Sequence, residues 1–146
     1  MDIKPLDDQL SVTAQPRLDE LEQLAAQGFG TILSNRPRGE SEDQPDPEAL
    51  KAKAESLGMA WHEVPVKPGD YSQTDIDSFA HVMNSSPGPV LGFCRSGKRV
   101  AHLWALSQAA HRPVPELIEA ARSAGYDLAP LRERLEQQAD QASPGR

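Results

Sequence analysis

The only cysteine of this 146-residue chain, Cys94, stands between an apolar run and the start of a helix. Residues 90–93 predict a short buried strand, and from Arg99 onward apolar residues recur at helical spacing. Backbone amides of the intervening loop can point into one concavity at a helix N-terminus, where unpaired N–H groups and the helix dipole favour an anion. Gly97 permits the tight bend that such a loop needs. This arrangement predicts that Cys94 is a nucleophile in an anion-binding loop.

Cations of the same loop can activate the thiol. A free cysteine has a pKa of about 8.5, but a helix N-terminus and neighbouring cations lower it to roughly 3.5–7.5 and so produce the reactive thiolate. Arg99 is the best placed to bind substrate, because its planar fork matches two oxygens of a phosphate, sulfate or thiosulfate group. Ser96 can donate a hydrogen bond to the thiolate. We therefore expect Cys94 and Arg99 to act in catalysis, and the following residues to bind the substrate: Arg95, Ser96, Gly97 and Lys98.

A structural role is the alternative for Cys94, because free cysteine is commonly a small buried core residue. Two guanidinium groups, those of Arg95 and Arg99, crowd the same loop. Such cations stabilise a thiolate, whereas a purely structural thiol does not require them. The loop composition therefore favours the nucleophile.

The composition predicts one domain whose partner is a small anion. A length of 146 residues suits a single domain with its own core. With 22 acidic and 15 basic residues the net charge is −7, which argues against nucleic acid or an anionic membrane as partner. The first residues lack the apolar stretch of a signal peptide, and one cysteine cannot form an internal disulfide, so we expect a cytoplasmic protein. The four histidines show no metal-ligand spacing, and we expect neither a metal nor another cofactor.

Strand and helix signals alternate along the first two thirds of the chain. Apolar runs predict strands at 10–13, 31–34, 60–66 and 90–93. Amphipathic stretches predict helices at 16–27, 47–57, 74–84, 98–110, 115–123 and 128–138. This order indicates an α/β fold with a mainly parallel central sheet of about four strands, helices on both faces and an all-helical C-terminal part. We expect a single domain at 8–138 with flexible termini at 1–7 and 139–146.

Two loops follow the ends of predicted strands, where function concentrates in parallel sheets. The segment 37–47 is polar, acidic and rich in proline and glycine, which is typical of a solvated surface loop. Asp70, in Pro68-Gly69-Asp70, lies on a turn from which an acid can swing over the cysteine loop, although a turn residue or helix cap is the alternative. Asp75 and Asp77 are weaker candidates, because acidic residues in the first turns of a helix complement its dipole.

The loop Cys94-Arg95-Ser96-Gly97-Lys98-Arg99 resembles the active-site loop of rhodanese-type sulfurtransferases, in which arginine follows cysteine five positions later. Phosphatases of the tyrosine and dual-specificity class use a similar loop with one more residue between cysteine and arginine, and usually a histidine before the cysteine. Here Phe93 stands at the histidine position and Val100 at the position of the phosphatase arginine. The loop by itself therefore favours the sulfurtransferases.

The surrounding chain resembles the phosphatases instead. The stretch 10–35, the run 61–66 with Asp70 and the all-helical end are similar to dual-specificity phosphatases. A phosphatase-like scaffold with a rhodanese-length loop resembles the phosphatase-like domain of bacterial beta-lactamase-hydrolase-like proteins, over roughly residues 8–135. The resemblance implies a protein-tyrosine-phosphatase-like fold. It also implies a functional partner, because members occur alone or fused to a metallo-hydrolase or persulfide dioxygenase domain.

Two reactions remain open for this loop, and the sequence favours sulfur transfer. In that reaction Cys94 attacks the outer sulfur of thiosulfate or a persulfide, forms a cysteine persulfide beside Arg99 and passes the sulfur to an acceptor thiol. The alternative is hydrolysis of a phosphate monoester through a phosphocysteine, with Asp70 protonating the leaving oxygen. The short loop favours a single sulfur, because a phosphoryl transition state has three equatorial oxygens to contact. A non-catalytic anion-binding module is the third alternative.

Overall fold

The computed structural model describes residues 1–141, which contain a five-stranded sheet. The strands are β1 (Lys4–Pro5), β2 (Leu10–Thr13), β3 (Thr31–Ser34), β4 (Ala60–Glu63) and β5 (Val90–Phe93). Their order across the sheet is β1-β2-β5-β3-β4. Strands β2, β5, β3 and β4 run parallel to one another, and only β1 is antiparallel to its neighbour β2. The predicted mainly parallel α/β fold is confirmed.

Six α-helices of residues 1–141 cover the two faces of this sheet. They are α1 (Leu21–Ala26), α2 (Pro47–Ser56), α3 (Gln73–Ser85), α4 (Lys98–Gln108), α5 (Val114–Ser123) and α6 (Arg132–Gln141). Successive strand residues point to opposite faces: Ile32 of β3 packs with α1 and α2, and Leu33 packs in the larger core built with α3 to α6. The predicted helices on both faces and the all-helical C-terminal part are therefore present. None of these helices in residues 1–141 is long and apolar enough to cross a bilayer.

The structure differs from the sequence expectations at both ends of the domain. Strand β1 lies inside the segment 1–7 that was expected to be flexible, and it pairs Lys4 with Val12 and Pro5 with Ser11. A strand of two polar or constrained residues carries no hydrophobic periodicity, so the sequence offers no signal for it. At the other end, α6 continues to Gln141, and the rest of the expected tail, residues 142–146, lies outside the described part of the chain.

The parallel strands place four connecting segments at one edge of the sheet. The carboxyl ends of β2, β3, β4 and β5 all meet there, so the chain segments that begin at residues 14, 35, 64 and 94 start side by side. Strand β4 ends at Glu63, earlier than the predicted 60–66, and the segment 64–66 already belongs to this edge. Any site built at this edge can therefore draw side chains from regions far apart in sequence.

We expect Gly92→Ala to destabilise the fold. Gly92 lies in the middle of β5, and a Cβ there would come within 2.7 Å of Val100 Cγ1 and 3.4 Å of Leu10 Cδ1. Overpacking of a buried contact costs about 1–3 kcal/mol. Urea denaturation measures the loss, and Gly88→Ala is the control, because a Cβ at Gly88 meets nothing within 4 Å. Equal midpoints for the two variants would contradict this packing.

Candidate active site

Cys94 is the first residue after β5 and is completely buried. The backbone N–H of Gly97 donates a hydrogen bond to its Sγ at 3.1 Å. Gly97 has φ +96°, and α4 begins at the next residue, Lys98. A donor at a helix N-terminus that points at sulfur stabilises a negative charge on that sulfur. The structure therefore brings the predicted nucleophile, the tight bend and the helix N-terminus together.

Tyr126 holds this loop from outside, a contact that the sequence did not indicate. A Cβ at Gly97 would lie 2.2 Å from the Tyr126 hydroxyl oxygen and 3.1 Å from Val12 Cγ2. The Tyr126 hydroxyl also donates a hydrogen bond to the Ser96 carbonyl oxygen at 3.2 Å. The loop is thus packed between β2 and Tyr126, so Gly97 is required both by its positive φ and by the lack of space for a side chain.

The four residues expected to bind substrate occupy different positions around Cys94. Arg95, Ser96 and Lys98 are exposed, so they form the rim of the loop, while Gly97 is buried beneath it. The Ser96 hydroxyl accepts a hydrogen bond from the Lys98 N–H at 3.4 Å. The donor to Cys94 is the Gly97 amide and not the Ser96 hydroxyl that the sequence suggested.

Arg99 is buried and forms a bidentate ion pair with Glu40. Its Nη1 donates to Glu40 Oε2 at 2.7 Å and its Nη2 donates to Oε1 at 2.9 Å. Nη1 also donates to the Val66 carbonyl oxygen at 2.9 Å. These bonds involve Nη1 and one N–H of Nη2. Within residues 1–141, no side-chain oxygen accepts from the Nε–H, which lies on the same edge of the guanidinium as the second N–H of Nη2. That remaining edge is a fork that matches two oxygens of an anion.

Segment 37–47 lies at the surface as expected, but it is more than a solvated loop, because two buried arginines bind its Glu40. Its Oε1 accepts a further hydrogen bond from Nε of the buried Arg36 at 2.9 Å. The hydrogen bonds from Arg99 and then Arg36 lower the pKa of Glu40 to about 2, against the opposing effect of burial. The carboxylate is therefore ionised at neutral pH, and the loop that carries it is fixed to the sheet edge by two guanidinium groups.

Arg36 anchors the rest of this loop. Its Nη1 donates to Gln15 Oε1 at 3.0 Å, and its Nη2 donates to the Ser41 hydroxyl at 2.9 Å, which in turn donates to Asp43 Oδ1 at 2.7 Å. The sequence did hold a signal for this arrangement, because Arg36 is the second residue after the buried strand β3. A buried guanidinium requires a carboxylate partner.

The pKa of Arg99 reflects both its burial and the negative groups around it. Burial of the guanidinium lowers its pKa, but the hydrogen bonds that it donates to Glu40 and the charges of Cys94 and Glu40 leave the pKa of Arg99 raised. Cys94 is thus close enough to Arg99 to interact with it electrostatically. The structure thus brings together the two residues that we expect to act in catalysis.

Asp70 lies on the exposed turn 67–70, where its backbone N–H donates to the Lys67 carbonyl oxygen at 3.1 Å. No residue in 1–141 forms a hydrogen bond or ion pair with its carboxylate. The two weaker candidates are occupied: Asp75 caps α3 by accepting from the Ser72 N–H, and Asp77 accepts from Gln73 Nε2. Of the three predicted acids, Asp70 is the one whose carboxylate has no hydrogen-bond partner within residues 1–141, and its role as general acid stays a prediction.

Tyr71 and His102 form a buried pair beside this turn that the sequence analysis did not assign to the site. The Tyr71 hydroxyl lies 2.9 Å from His102 Nδ1, and each residue is 3% exposed. Burial and then the charge of Lys98 lower the pKa of His102 to about 4, so the ring is neutral at neutral pH. Burial and the charge of Cys94 raise the pKa of Tyr71, which places its ring within electrostatic reach of the thiol.

Removing the Glu40 charge tests the ion-pair network. We expect Glu40→Gln to lower the free energy of unfolding at pH 7 by about 3 kcal/mol, because it leaves two buried guanidinium groups without their carboxylate. The pKa of Glu40 in the folded protein is below its ordinary value of 4.5, so its stabilisation is complete above about pH 4.5 and is lost as the pH falls through about 2.

Urea denaturation at several pH values measures this difference. The gap between wild type and Glu40→Gln should shrink from pH 6 towards pH 2. Glu48→Gln is the matched control, since Glu48 also pairs with an arginine, Arg38, but is exposed, and we expect its loss to stay under about 1 kcal/mol. A gap for Glu40→Gln that does not change with pH would contradict the assignment.

Comparison with known proteins identifies relatives over most of the chain. A family model described as "Beta-lactamase hydrolase-like protein, phosphatase-like domain" matches residues 2–111. A beta-lactamase hydrolase-like protein of Xylella fastidiosa is 35% identical over 143 residues, which is 97% of this chain and 33% of the relative. The chain thus spans about a third of the length of the curated relatives that it matches.

Solved structures agree with this finding. A candidate phosphatase from Neisseria meningitidis is 37% identical and superposes with a TM-score of 0.85, covering 94% of this chain and 99% of that one. A kinase-associated phosphatase with its catalytic-site cysteine changed to serine is 16% identical, with a TM-score of 0.78, covering 94% of this chain and 89% of that one. At that identity the likeness concerns the fold alone. The predicted phosphatase-like α/β fold is confirmed.

Proposed function

Because this chain belongs to the phosphatase-like domain family of beta-lactamase hydrolase-like proteins, we propose that it is a cysteine-dependent phosphatase that hydrolyses phosphate monoesters. The observation that carries the proposal is the arrangement of Arg99, whose end is held by Glu40 while its remaining fork is available beside Cys94. The sequence favoured sulfur transfer. The phosphatase-like family and the phosphatase structures with the same fold support the alternative better.

In the first step the Cys94 thiolate attacks phosphorus. A sulfur–phosphorus bond forms, and the bond between phosphorus and the ester oxygen breaks. The departing oxygen takes the electron pair of that bond and receives a proton from the Asp70 carboxyl group, so a neutral alcohol leaves. Arg99 and the loop amides stabilise the charge on the phosphoryl oxygens during this transfer.

In the second step water attacks the phosphocysteine. Asp70, now a carboxylate, accepts a proton from the water, and the sulfur–phosphorus bond breaks. The electron pair returns to sulfur and inorganic phosphate leaves. The regenerated thiolate is stabilised by the Gly97 N–H, which already donates to Sγ before substrate binds.

Glu40 acts on this reaction through Arg99 and does not meet the substrate. By holding both Nη atoms it fixes the plane of the guanidinium, so binding a phosphoryl group need not order a flexible side chain. Around the loop, the exposed Arg95 and Lys98 add positive charge that attracts a dianion to the site in a protein of net charge −7.

We expect the protein to hydrolyse an aryl phosphate and to lose that activity in Cys94→Ser, because the serine hydroxyl is not a thiolate. Asp70→Asn should lower kcat by about 100-fold or more, the usual contribution of a general acid. Release of the phenol, followed by absorbance, measures both effects. Asp77→Asn is the matched control, since Asp77 is an exposed carboxylate in α3 already bonded to Gln73. Full activity in Asp70→Asn would remove Asp70 from the mechanism.

Sulfur transfer is the second candidate, and the length of the loop favours it. Four residues separate Cys94 from Arg99, which makes a ring suited to a smaller group than a phosphoryl group. In this reaction Cys94 attacks the outer sulfur of thiosulfate, sulfite leaves with the electron pair of the sulfur–sulfur bond, and a thiol later takes the sulfur from the cysteine persulfide. No proton donor is needed, so this activity should not depend on Asp70.

Intact-protein mass spectrometry after incubation with thiosulfate tests this second candidate. Sulfur transfer predicts a mass increase of one sulfur atom in the wild type and in Asp70→Asn, removed by added thiol and absent in Cys94→Ser. Incubation with an aryl phosphate in the same preparation shows which of the two activities is faster. A wild-type protein that gains no sulfur from thiosulfate or a persulfide would exclude this candidate.

A further inference from the structure

The turn that carries Asp70 is attached to α4 at both ends. Before the turn, the Val66 carbonyl oxygen accepts the hydrogen bond from Arg99 Nη1 at 2.9 Å. After the turn, the Tyr71 hydroxyl bonds to His102 Nδ1, also at 2.9 Å. Arg99 and His102 are three residues apart in α4, so both anchors reach the same side of that helix.

The chain between these anchors has little freedom to move. Only residues 67–70 separate Val66 from Tyr71, and the hydrogen bond from the Asp70 N–H to the Lys67 carbonyl oxygen closes them into a turn. The segment before Val66 is held as well, because Asn35 Nδ2 donates to the Val64 carbonyl oxygen at 2.8 Å and the Val66 N–H donates to the Asn35 carbonyl oxygen at 3.1 Å. A turn of this length cannot swing far unless an anchor breaks.

The second anchor is costly to break because both partners are buried. His102 Nε2 already lacks a hydrogen-bond partner within residues 1–141, so loss of the Tyr71 hydroxyl would leave the whole imidazole unsatisfied. The two rings also pack edge to face, with centroids 5.6 Å apart. Because the pKa of His102 is lowered to about 4, the imidazole is neutral at neutral pH and its hydrogen bond with Tyr71 persists there.

From this geometry, and resting on the proposed phosphatase function, we propose that Tyr71 and His102 are positioning residues that hold Asp70 in place for proton donation before substrate binds. They touch neither the phosphoryl group nor the leaving oxygen. They fix the turn onto the helix whose first turn also carries Arg99, so the acid and the anion-binding fork keep one relative geometry. The acid is thus preorganised, and the turn does not act as a lid.

The dependence of rate on the leaving group tests this role. For aryl phosphates, a well-placed acid matters most when the phenol is a poor leaving group and least when the phenol is acidic. We expect Tyr71→Phe, which keeps the aromatic packing and removes only the hydroxyl, to retain the wild-type kcat with the most acidic phenol. With the least acidic phenol it should lose about tenfold or more, as a misplaced catalytic group does. In a plot of log kcat against the pKa of the phenol, the slope of Tyr71→Phe should therefore be steeper than that of the wild type and approach that of Asp70→Asn.

Two further variants at His102 separate positioning from general damage. His102→Asn keeps a hydrogen-bonding group near the position of Nδ1 and should retain the wild-type slope, whereas His102→Leu should follow Tyr71→Phe. Ser107→Ala is the matched control, because Ser107 lies in the same helix and its buried hydroxyl donates to the Trp104 carbonyl oxygen. Partial unfolding lowers the rate with every substrate by the same factor, so it leaves the dependence on the leaving group unchanged.

The outcomes distinguish this inference from the function on which it rests. If the wild type hydrolyses none of the esters, the proposed phosphatase function fails, and the inference fails with it. If the wild type is active but Tyr71→Phe has the wild-type slope, the phosphatase function stands and the positioning role of the pair is overturned. A slope that steepens in Tyr71→Phe and His102→Leu, and returns in His102→Asn, supports the proposal.

Discussion

The carboxylate of Glu40 lies between two buried guanidinium groups, and the geometry of the site depends on this contact. Arg99 and Arg36 are each about one twentieth exposed, and neither charge could stay buried without a partner. One carboxylate binds both guanidinium groups, and these three groups together carry one positive charge. It also directs Arg99, because a bidentate bond to both Nη atoms leaves only the Nε edge for an anion.

The parallel sheet makes this contact possible. Because β3 and β5 are neighbours and run in the same direction, Arg36 after one strand and Cys94 after the other begin at the same edge. Strand β4 adds the segment that supplies the Val66 carbonyl oxygen and Asp70. Cys94 and Arg99 thus come from the loop and helix after β5, and Asp70 comes from the loop after β4. The loop after β3 supplies Glu40, which holds Arg99, so three loops at one edge of the sheet build the candidate site.

The features that the sequence predicted and those that it missed differ in how far apart in sequence the interacting residues lie. Strands at 10–13, 31–34 and 90–93 are found as predicted, because runs of apolar residues that are buried on both faces leave a local pattern. The segment 37–47 lies at the surface as predicted, but the ion pair of its Glu40 was missed, because Arg99 is 59 residues away and the composition is that of an ordinary exposed loop. Strand β1 was missed because two residues carry no periodicity.

The sequence by itself determined that Cys94 follows a buried strand and precedes a helix, that a glycine permits the bend, and that Arg99 stands in the first turn of that helix. All of these depend on residues within about ten positions of one another, where spacing and local conformation are enough. Only the tertiary structure decided which edge of Arg99 remains available and how the turn of Asp70 is held. Both depend on burial and on hydrogen bonds between distant segments, Glu40 with Arg99 and Tyr71 with His102, whose partners are chosen by the packing of the sheet and α4.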